Sequence, residues 1–414
     1  MAEGYSVHRL GIVGPGLMGL GIAQVAAAAG ISVVLAGRDA ASAMAGLQRL
    51  TTLFERQVER GRLSSDEASV RLSTIEAARD FSALRGCDLA IESVSEDRAL
   101  KLDVLSRMQA ALPPCTLIAS NTSGLPISGL ASVLRRQNRF IGLHFFSPVE
   151  RMPLVEVVRG QRTAEATVSE ALAFVGQLGH RPIVVRDGPG FFTSRVFAAY
   201  LDEAVAMVGE GVTPALVEQA ALDNGRTIGP LAVLDDISLQ LNWQQGRQAR
   251  ADGLDERFCR PLAWPVLDHM ISLGRTGRRQ GGGFYEAGAD GARQLWTGLA
   301  GIFPPDDLQP SLSTVQQRLR CIEGLEALRC LEEGVLATAD DADTGSLLGL
   351  GFPASRGGVL RDVETQGLDR FVADCDALAQ QYGPRFAPSD WLRTCATRYE
   401  GLAAWRTHLT TIVN

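Results

Sequence analysis

The amino-acid sequence predicts an α/β fold, a doubly wound, mainly parallel sheet followed by two tandem all-helical domains. Three observations predict it. A glycine-rich turn, Gly14-x-Gly16-x-x-Gly19, joins a buried-strand pattern over 9–14 to a helical one over 17–29 and a second strand over 31–35, which is a βαβ unit. Strand and helix patterns alternate to about residue 187, as a parallel sheet covered on both faces requires. Beyond Asp187-Gly188-Pro189-Gly190 the apolar spacing is mostly helical from Arg195 onward, with a faint internal repeat.

The remaining elements follow in order. The charged stretch from Ala40 to about Ala78 reads as helix, and short apolar runs at 88–93, 116–120, 140–143, 154–158 and 182–185 read as strands. Glu203-Ala204 with Glu210-Gly211-Val212 recurs as Glu326-Ala327 with Glu333-Gly334-Val335, an offset of 123. Val233-Leu234-Asp235-Asp236 echoes Val359-Leu360-Arg361-Asp362 at an offset of 126. Two matches in the same order predict a duplicated helical domain, with the glycine-rich stretch from Gly281 to Gly301 as linker. The expected domains are 1–187, 188–292 and 293–414.

Composition narrows the function classes. The chain has 414 residues, 46% hydrophobic and 21% charged, with net charge −7, so it folds around a sizeable core and carries no cationic field for nucleic acid or an anionic membrane. Of its 40 basic residues, Lys101 is the sole lysine. Seven cysteines with no C-x-x-C pair argue against a disulfide framework and fit a reducing cytoplasm. The run from Leu10 to Gly37 is uncharged for 28 residues, long enough to span a membrane, but its seven glycines and Pro15 favour strand, turn, helix and strand. No metal site is expected.

The glycine turn is a Rossmann-type dinucleotide loop: Gly14, Pro15, Gly16, Leu17, Met18 and Gly19 bring backbone amides and a helix N-terminus to a pyrophosphate. An acidic residue at the end of the second strand ordinarily bonds the ribose 2′-hydroxyl of NAD. Here Gly37 takes that position and Arg38 and Asp39 follow. Arg38 would suit the 2′-phosphate of NADP; alternatively Asp39 takes the acidic role late and Arg38 points to solvent. NAD and NADP both stand.

Two runs carry the chemistry. Ser120-Asn121-Thr122-Ser123 ends one strand, and His144-Phe145-Phe146-Ser147-Pro148 ends another, with Glu156 on the strand after it. An imidazole suits removal of a hydroxyl proton as hydride leaves the adjacent carbon, a carboxylate would orient it, and a serine hydroxyl would bond the substrate oxygen. These runs, with Gly349-Leu350-Gly351-Phe352-Pro353 and Arg356-Gly357-Gly358, resemble the L-3-hydroxyacyl-CoA dehydrogenase family, in particular the dehydrogenase part of the multifunctional fatty-acid β-oxidation α-subunits.

The resemblance implies a (3S)-3-hydroxyacyl-CoA dehydrogenase, an NAD cofactor and an acyl-CoA substrate, with His144, Glu156, Ser123 and Ser194 catalytic. It places Glu96, Lys101, Asn121, Ser123 and Ser147 at the cofactor, Glu96 and Lys101 having a surface ion pair as their alternative. Arg278 and Arg279, and with them Arg56, Arg60 and Arg62, would meet CoA phosphates or solvent. Many relatives carry asparagine where Ser194 stands, so Ser194 either contacts the substrate's carbonyl side or caps a helix beginning at Arg195. The hydratase domain of multifunctional members has no counterpart in residues 1–8, so hydratase activity is expected to be absent. Short relatives dimerise through their helical domain, which a second copy in one chain would replace; monomer or homodimer are both open. The alternative to an enzyme is a non-catalytic NAD(P)-binding relative with a structural or sensing role.

Overall fold

The computed structural model describes residues 4–288 and 291–398. The chain divides into two compact units: the first runs to Phe192 and takes in Gly334–Ala337, and the second begins at Thr193.

The first unit is built on an eight-stranded sheet. In chain order it contains β1 (Arg9–Val13), α1 (Leu17–Ala28), β2 (Ser32–Ala36), α2 (Ala40–Glu59), α3 (Ser65–Ser73), β3 (Ile75–Ala77), β4 (Leu89–Glu92), α4 (Arg98–Ala111), β5 (Leu117–Ser120), α5 (Ile127–Leu130), β6 (Phe140–Phe145), β7 (Leu154–Arg159), α6 (Glu165–Gln177) and β8 (Arg181–Arg186). The strand order is β3-β2-β1-β4-β5-β6-β7-β8. All neighbours are parallel except β6 and β7, which pair antiparallel. The order reverses direction between β1 and β4, the point where doubly wound sheets open a crevice at their carboxyl ends. The uncharged run from Leu10 to Gly37 is thus β1, α1 and β2, and among the described residues no helix is long and apolar enough to cross a membrane.

Leu10 and Ile12 of β1, Ala23 and Ala26 of α1, Leu50 and Phe54 of α2, and Phe174 and Val175 of α6 share one buried core. The helix expected from Ala40 to Ala78 is interrupted twice. Ser64 caps α3 in a reciprocal arrangement with Glu67, which starts a new helix, and the three residues after Thr74 form β3, an edge strand too short to show a pattern.

The second unit contains α7 (Thr193–Gly209), α8 (Pro214–Asp223), α9 (Pro230–Ile237), α10 (Leu239–Ala251), α11 (Ala263–Ser272), β9 (Tyr285–Ala287), β10 (Arg293–Leu295), α12 (Leu299–Ile302), α13 (Leu312–Glu332), α14 (Ala339–Gly349), α15 (Val359–Gln366), α16 (Leu368–Tyr382) and α17 (Asp390–Arg398). The stretch expected as a linker holds the antiparallel hairpin β9–β10, tied down where Asp235 accepts the amides of Phe284 and Tyr285 at 2.8 Å each. The two helical stretches expected as separate domains lie in one compact unit, because α7 and α13 bury their charges in each other.

That burial is reciprocal. Arg195 of α7 donates to Glu326 at 2.7 Å and Glu333 at 2.6 Å; Arg318 of α13 donates to Glu203 at 2.7 Å and Glu210 at 2.6 Å. Arg195, Glu203 and Glu210 recur 123 positions later as Arg318, Glu326 and Glu333. The second repeat match has no such counterpart. Glu218 accepts Leu231 N at the start of α9, and Asp343 accepts Leu360 N and Arg361 N at the start of α15, so Leu231 corresponds to Leu360 and the matching offset is 129 rather than 126.

Arg226, 9% exposed, chelates Glu323, 3% exposed, through one guanidinium nitrogen at 2.5 and 2.6 Å. Removing one partner of such a buried pair costs about 3–5 kcal/mol, whereas an exposed pair contributes about 1 kcal/mol or less. Arg226→Met is therefore expected to lower the denaturant midpoint far more than Arg393→Ala, which breaks the exposed pair with Asp376; equal losses would show that the buried pair is not a stability determinant.

Candidate active site

The carboxyl ends of β1, β4, β5 and β6 gather nearly all the first unit's sequence-predicted residues. At β1 the glycine turn is close-packed where it must be and open where a ligand would enter. A Cβ at Gly14 (φ 113°) would lie 2.5 Å from Ser93 O, and one at Gly19 would lie 2.0 Å from Gly14 O. Around a Cβ at Gly16 nothing lies within 4 Å. Gly16 is also the N-cap of α1, with no side-chain cap and no acidic residue in the first turn. Pro15 and Met18 are half-buried and Leu17 is exposed. This cradle fits a dinucleotide pyrophosphate.

At the end of β2, Asp39 is the N-cap of α2. Its carboxylate accepts Ser42 N at 2.7 Å, and Ser42 Oγ accepts Asp39 N at 3.2 Å. The Ser42 amide, then its hydroxyl, and to a lesser extent Arg38 hold the Asp39 carboxyl below its ordinary value.

β6 and β7 position the dyad. His144 and Glu156 are direct cross-strand partners in the antiparallel pair, so both side chains leave the same face; this is why twelve residues of separation bring them together. His144 Nδ1 lies 2.7 Å from Glu156 Oε2, with Glu156 fully buried and His144 7% exposed. The other carboxylate oxygen accepts Phe192 N at 3.2 Å. Phe191, at φ 52°, is a non-glycine residue in the left-handed region, a conformation that costs energy and concentrates at functional sites. Its ring and that of Phe146 flank the imidazole, with centroids 6.1 and 4.4 Å away. A histidine held at Nδ1 by a carboxylate presents Nε2 to a substrate.

Beyond β5, Ser123 sits in a half-buried loop whose amide donates to Glu96 Oε1 at 3.1 Å, its hydroxyl at 3.4 Å. Asn121 stitches strand ends together: its side chain accepts Phe145 N at 2.9 Å and donates to Ser93 Oγ at 3.3 Å. Ser147 is exposed just past β6.

Lys101 is not part of a surface ion pair. It is 1% exposed, its ammonium 2.8 Å from Glu92, 3.2 Å from Val94 O and 3.4 Å from Glu96. Glu92, fully buried, also accepts Ser120 Oγ at 2.6 Å and Val94 N at 2.7 Å. Sequence reasoning missed Glu92, although an acid inside an apolar strand, nine residues before the only lysine, was the available signal.

Ser194 is the second residue of α7, inside its first turn rather than capping it, and belongs to the helical unit. Arg278 is exposed and 3.4 Å from Asp236; Arg56, Arg60, Arg62 and Arg279 are exposed.

Residues 9–188 match the 3-hydroxyacyl-CoA dehydrogenase NAD-binding domain and residues 190–287 its C-terminal domain. The fatty acid oxidation complex subunit alpha of Vibrio cholerae is 33% identical over 393 residues, 94% of this chain. The chain spans about half the length of such curated relatives, 55% for this one. The solved 3-hydroxybutyryl-CoA dehydrogenase of Escherichia coli K12 superposes with a TM-score of 0.80 at 26% identity, covering 94% of this chain and 98% of that one. The (S)-3-hydroxybutyryl-CoA dehydrogenase of Ralstonia eutropha is 33% identical, covering 67% of this chain and 98% of its own, with a TM-score of 0.64. With its paired domain matches and its glycine cradle at the head of the sheet, the chain belongs to the 3-hydroxyacyl-CoA dehydrogenase family.

Proposed function

We propose that this chain interconverts (3S)-3-hydroxyacyl-CoA and 3-oxoacyl-CoA, and the buried His144–Glu156 dyad at the carboxyl end of the sheet is the observation that carries the reading. The nicotinamide cofactor, which the Gly14–Gly19 cradle would hold, would supply the hydride acceptor for substrate C3. His144 Nε2 takes the C3 hydroxyl proton as the C–H bond breaks, and Glu156 stabilises the resulting imidazolium. The Ser123 hydroxyl donates to the C3 oxygen, and Glu96 fixes the loop that carries it. Lys101 and Glu92 act one layer deeper, holding Glu96 and Ser120 in place. Ser194 would contact the substrate on its carbonyl side, and the exposed arginines are candidates for the CoA phosphates.

The dehydrogenase step alone is assigned to these residues, in a cytoplasmic setting. The reciprocal α7–α13 ion pairs support a helical duplication whose copies pair within one chain, so the protein is expected to run as a monomer in light scattering; a stable dimer at micromolar concentration would remove that reading.

The decisive experiment follows reduction of acetoacetyl-CoA. His144→Ala should lower kcat by about 10²–10⁴, and Glu156→Gln by up to about 10⁴, with nucleotide affinity retained in both. Full activity in His144→Ala would overturn the mechanism, and nucleotide binding without turnover in the unaltered protein would leave a non-catalytic relative.

Glu92→Gln leaves the buried Lys101 ammonium with Glu96 as its remaining acid, which costs about 3–5 kcal/mol if no relaxation follows. The expected signature is a lowered thermal midpoint together with a loss of kcat exceeding the change in KM. A loss of stability with unaltered kcat in the folded fraction would confine Glu92 to a structural role.

A further inference from the structure

The adenosine end of the cradle departs from an NAD site in both its residues and its packing. An NAD site places a carboxylate at the end of the second strand. At that position a Cβ on Gly37 would lie 2.2 Å from Ser42 Oγ and 3.0 Å from Ala43 N, so an acidic side chain there would require the Ser42 hydroxyl to turn away. The next acid, Asp39, has its carboxylate turned into the start of α2, where Oδ1 accepts Ser42 N. Ser42 Oγ donates to Asp39 O at 2.8 Å, which locks the corner.

The cations are placed differently. The Arg38 side chain is 88% exposed, and its Nε lies 3.4 Å from Asp39 Oδ2, itself 55% exposed. An ion pair so open to water holds the guanidinium weakly. A second arginine, Arg49 of α2, donates to the carbonyl of Pro15 inside the glycine turn. α2 is pressed against that turn, since a Cβ at Gly46 would lie 2.5 Å from Pro15 Cβ. The corner of β2, α2 and the glycine turn therefore carries two arginines and one committed carboxylate. Repulsion of a phosphate is removed at position 37, and a planar donor that binds phosphate through two nitrogens follows at position 38.

We propose that Arg38 receives the 2′-phosphate of NADP(H) and that this chain prefers NADP(H) over NAD(H). The inference rests on the dinucleotide reading of the glycine cradle given above. Arg49 supports it from the side, and Ser42 engages one oxygen of the Asp39 carboxylate, leaving Arg38 only a solvent-exposed contact with the other.

The test is calorimetric titration of the full chain with 2′,5′-ADP and 5′-AMP, which differ only in the 2′-phosphate, alongside NADP+ and NAD+. A charge-assisted contact of this kind gives about 10–100-fold tighter binding of 2′,5′-ADP. Arg38→Ala should erase that difference by weakening 2′,5′-ADP alone, and Gly37→Asp combined with Ser42→Ala should shift preference toward 5′-AMP. Equal affinities in the unaltered chain, or a ratio unchanged in Arg38→Ala, would overturn the assignment of Arg38. Acetoacetyl-CoA reduction with NADH in parallel separates the two levels: turnover with no 2′-phosphate preference removes only this inference, whereas no nucleotide binding at all removes the dinucleotide reading beneath it.

Discussion

A carboxylate with no access to water, Glu92 at the end of β4, is the constraint around which the catalytic end of the sheet is arranged. Its oxygens hold the Lys101 ammonium from α4 and the Ser120 hydroxyl from β5, and its carbonyl accepts Asn121 N at 2.8 Å. Asn121 in turn fixes the amide of Phe145, next to His144, while Lys101 and Thr122 reach Glu96, which carries Ser123. A buried ion is expensive unless every lone pair is met. Because meeting them takes groups from α4, β5 and the loop after β4, satisfying Glu92 also fixes the positions of both loops that present the chemistry.

The helical unit uses buried charge for a different end. Arg195 and Arg318 each cross to one glutamate on the other long helix and one just past its end, and Arg385 adds a further contact to Glu203 at 2.6 Å. Guanidinium groups suit this because their planar fork engages two carboxylates without a change of rotamer. Such pairs contribute little net stability over apolar packing, but a helix shifted by one turn would break all four pairs, so their effect falls on register.

Legibility of the sequence followed the strength of local pattern. The strands from β4 to β8 and the βαβ start are mostly apolar runs with breakers beside them, and their ends fell within a few residues of expectation. β3 was hidden because three residues at a sheet edge, with Glu76 in the middle, have no period to detect. The hairpin β9–β10 was hidden by glycines that read as linker until Asp235 supplied partners for its amides. His144, Glu156 and Ser123 were visible as a joint pattern. Lys101 was visible too, but its burial was not, since only the fold shows that Glu92 and Glu96 converge on it. The 126-residue echo failed because helix starts align by the carboxylates that cap them, Glu218 and Asp343, and not by the resemblance of four residues.

The dyad's rigidity comes from the chain that follows it. Glu156 needs both oxygens engaged, or its carboxylate would rotate and release the imidazole from the tautomer that exposes Nε2. One oxygen is taken by His144 itself. The other is taken by the Phe192 amide, which points inward because Gly190 and Phe191 both adopt left-handed backbone conformations. Phe191 tolerates that conformation because its ring is fully buried beside the imidazole it serves, and Gly190 N is caught by Gly124 O at 3.4 Å, in the loop that carries Ser123. The turn thus ties the serine loop, the carboxylate and the histidine together, and the sheet unit ends at the residue that completes this link, Phe192. The five residues after Asp187 belong with the sheet unit because they bring the Phe192 amide to the second oxygen of Glu156.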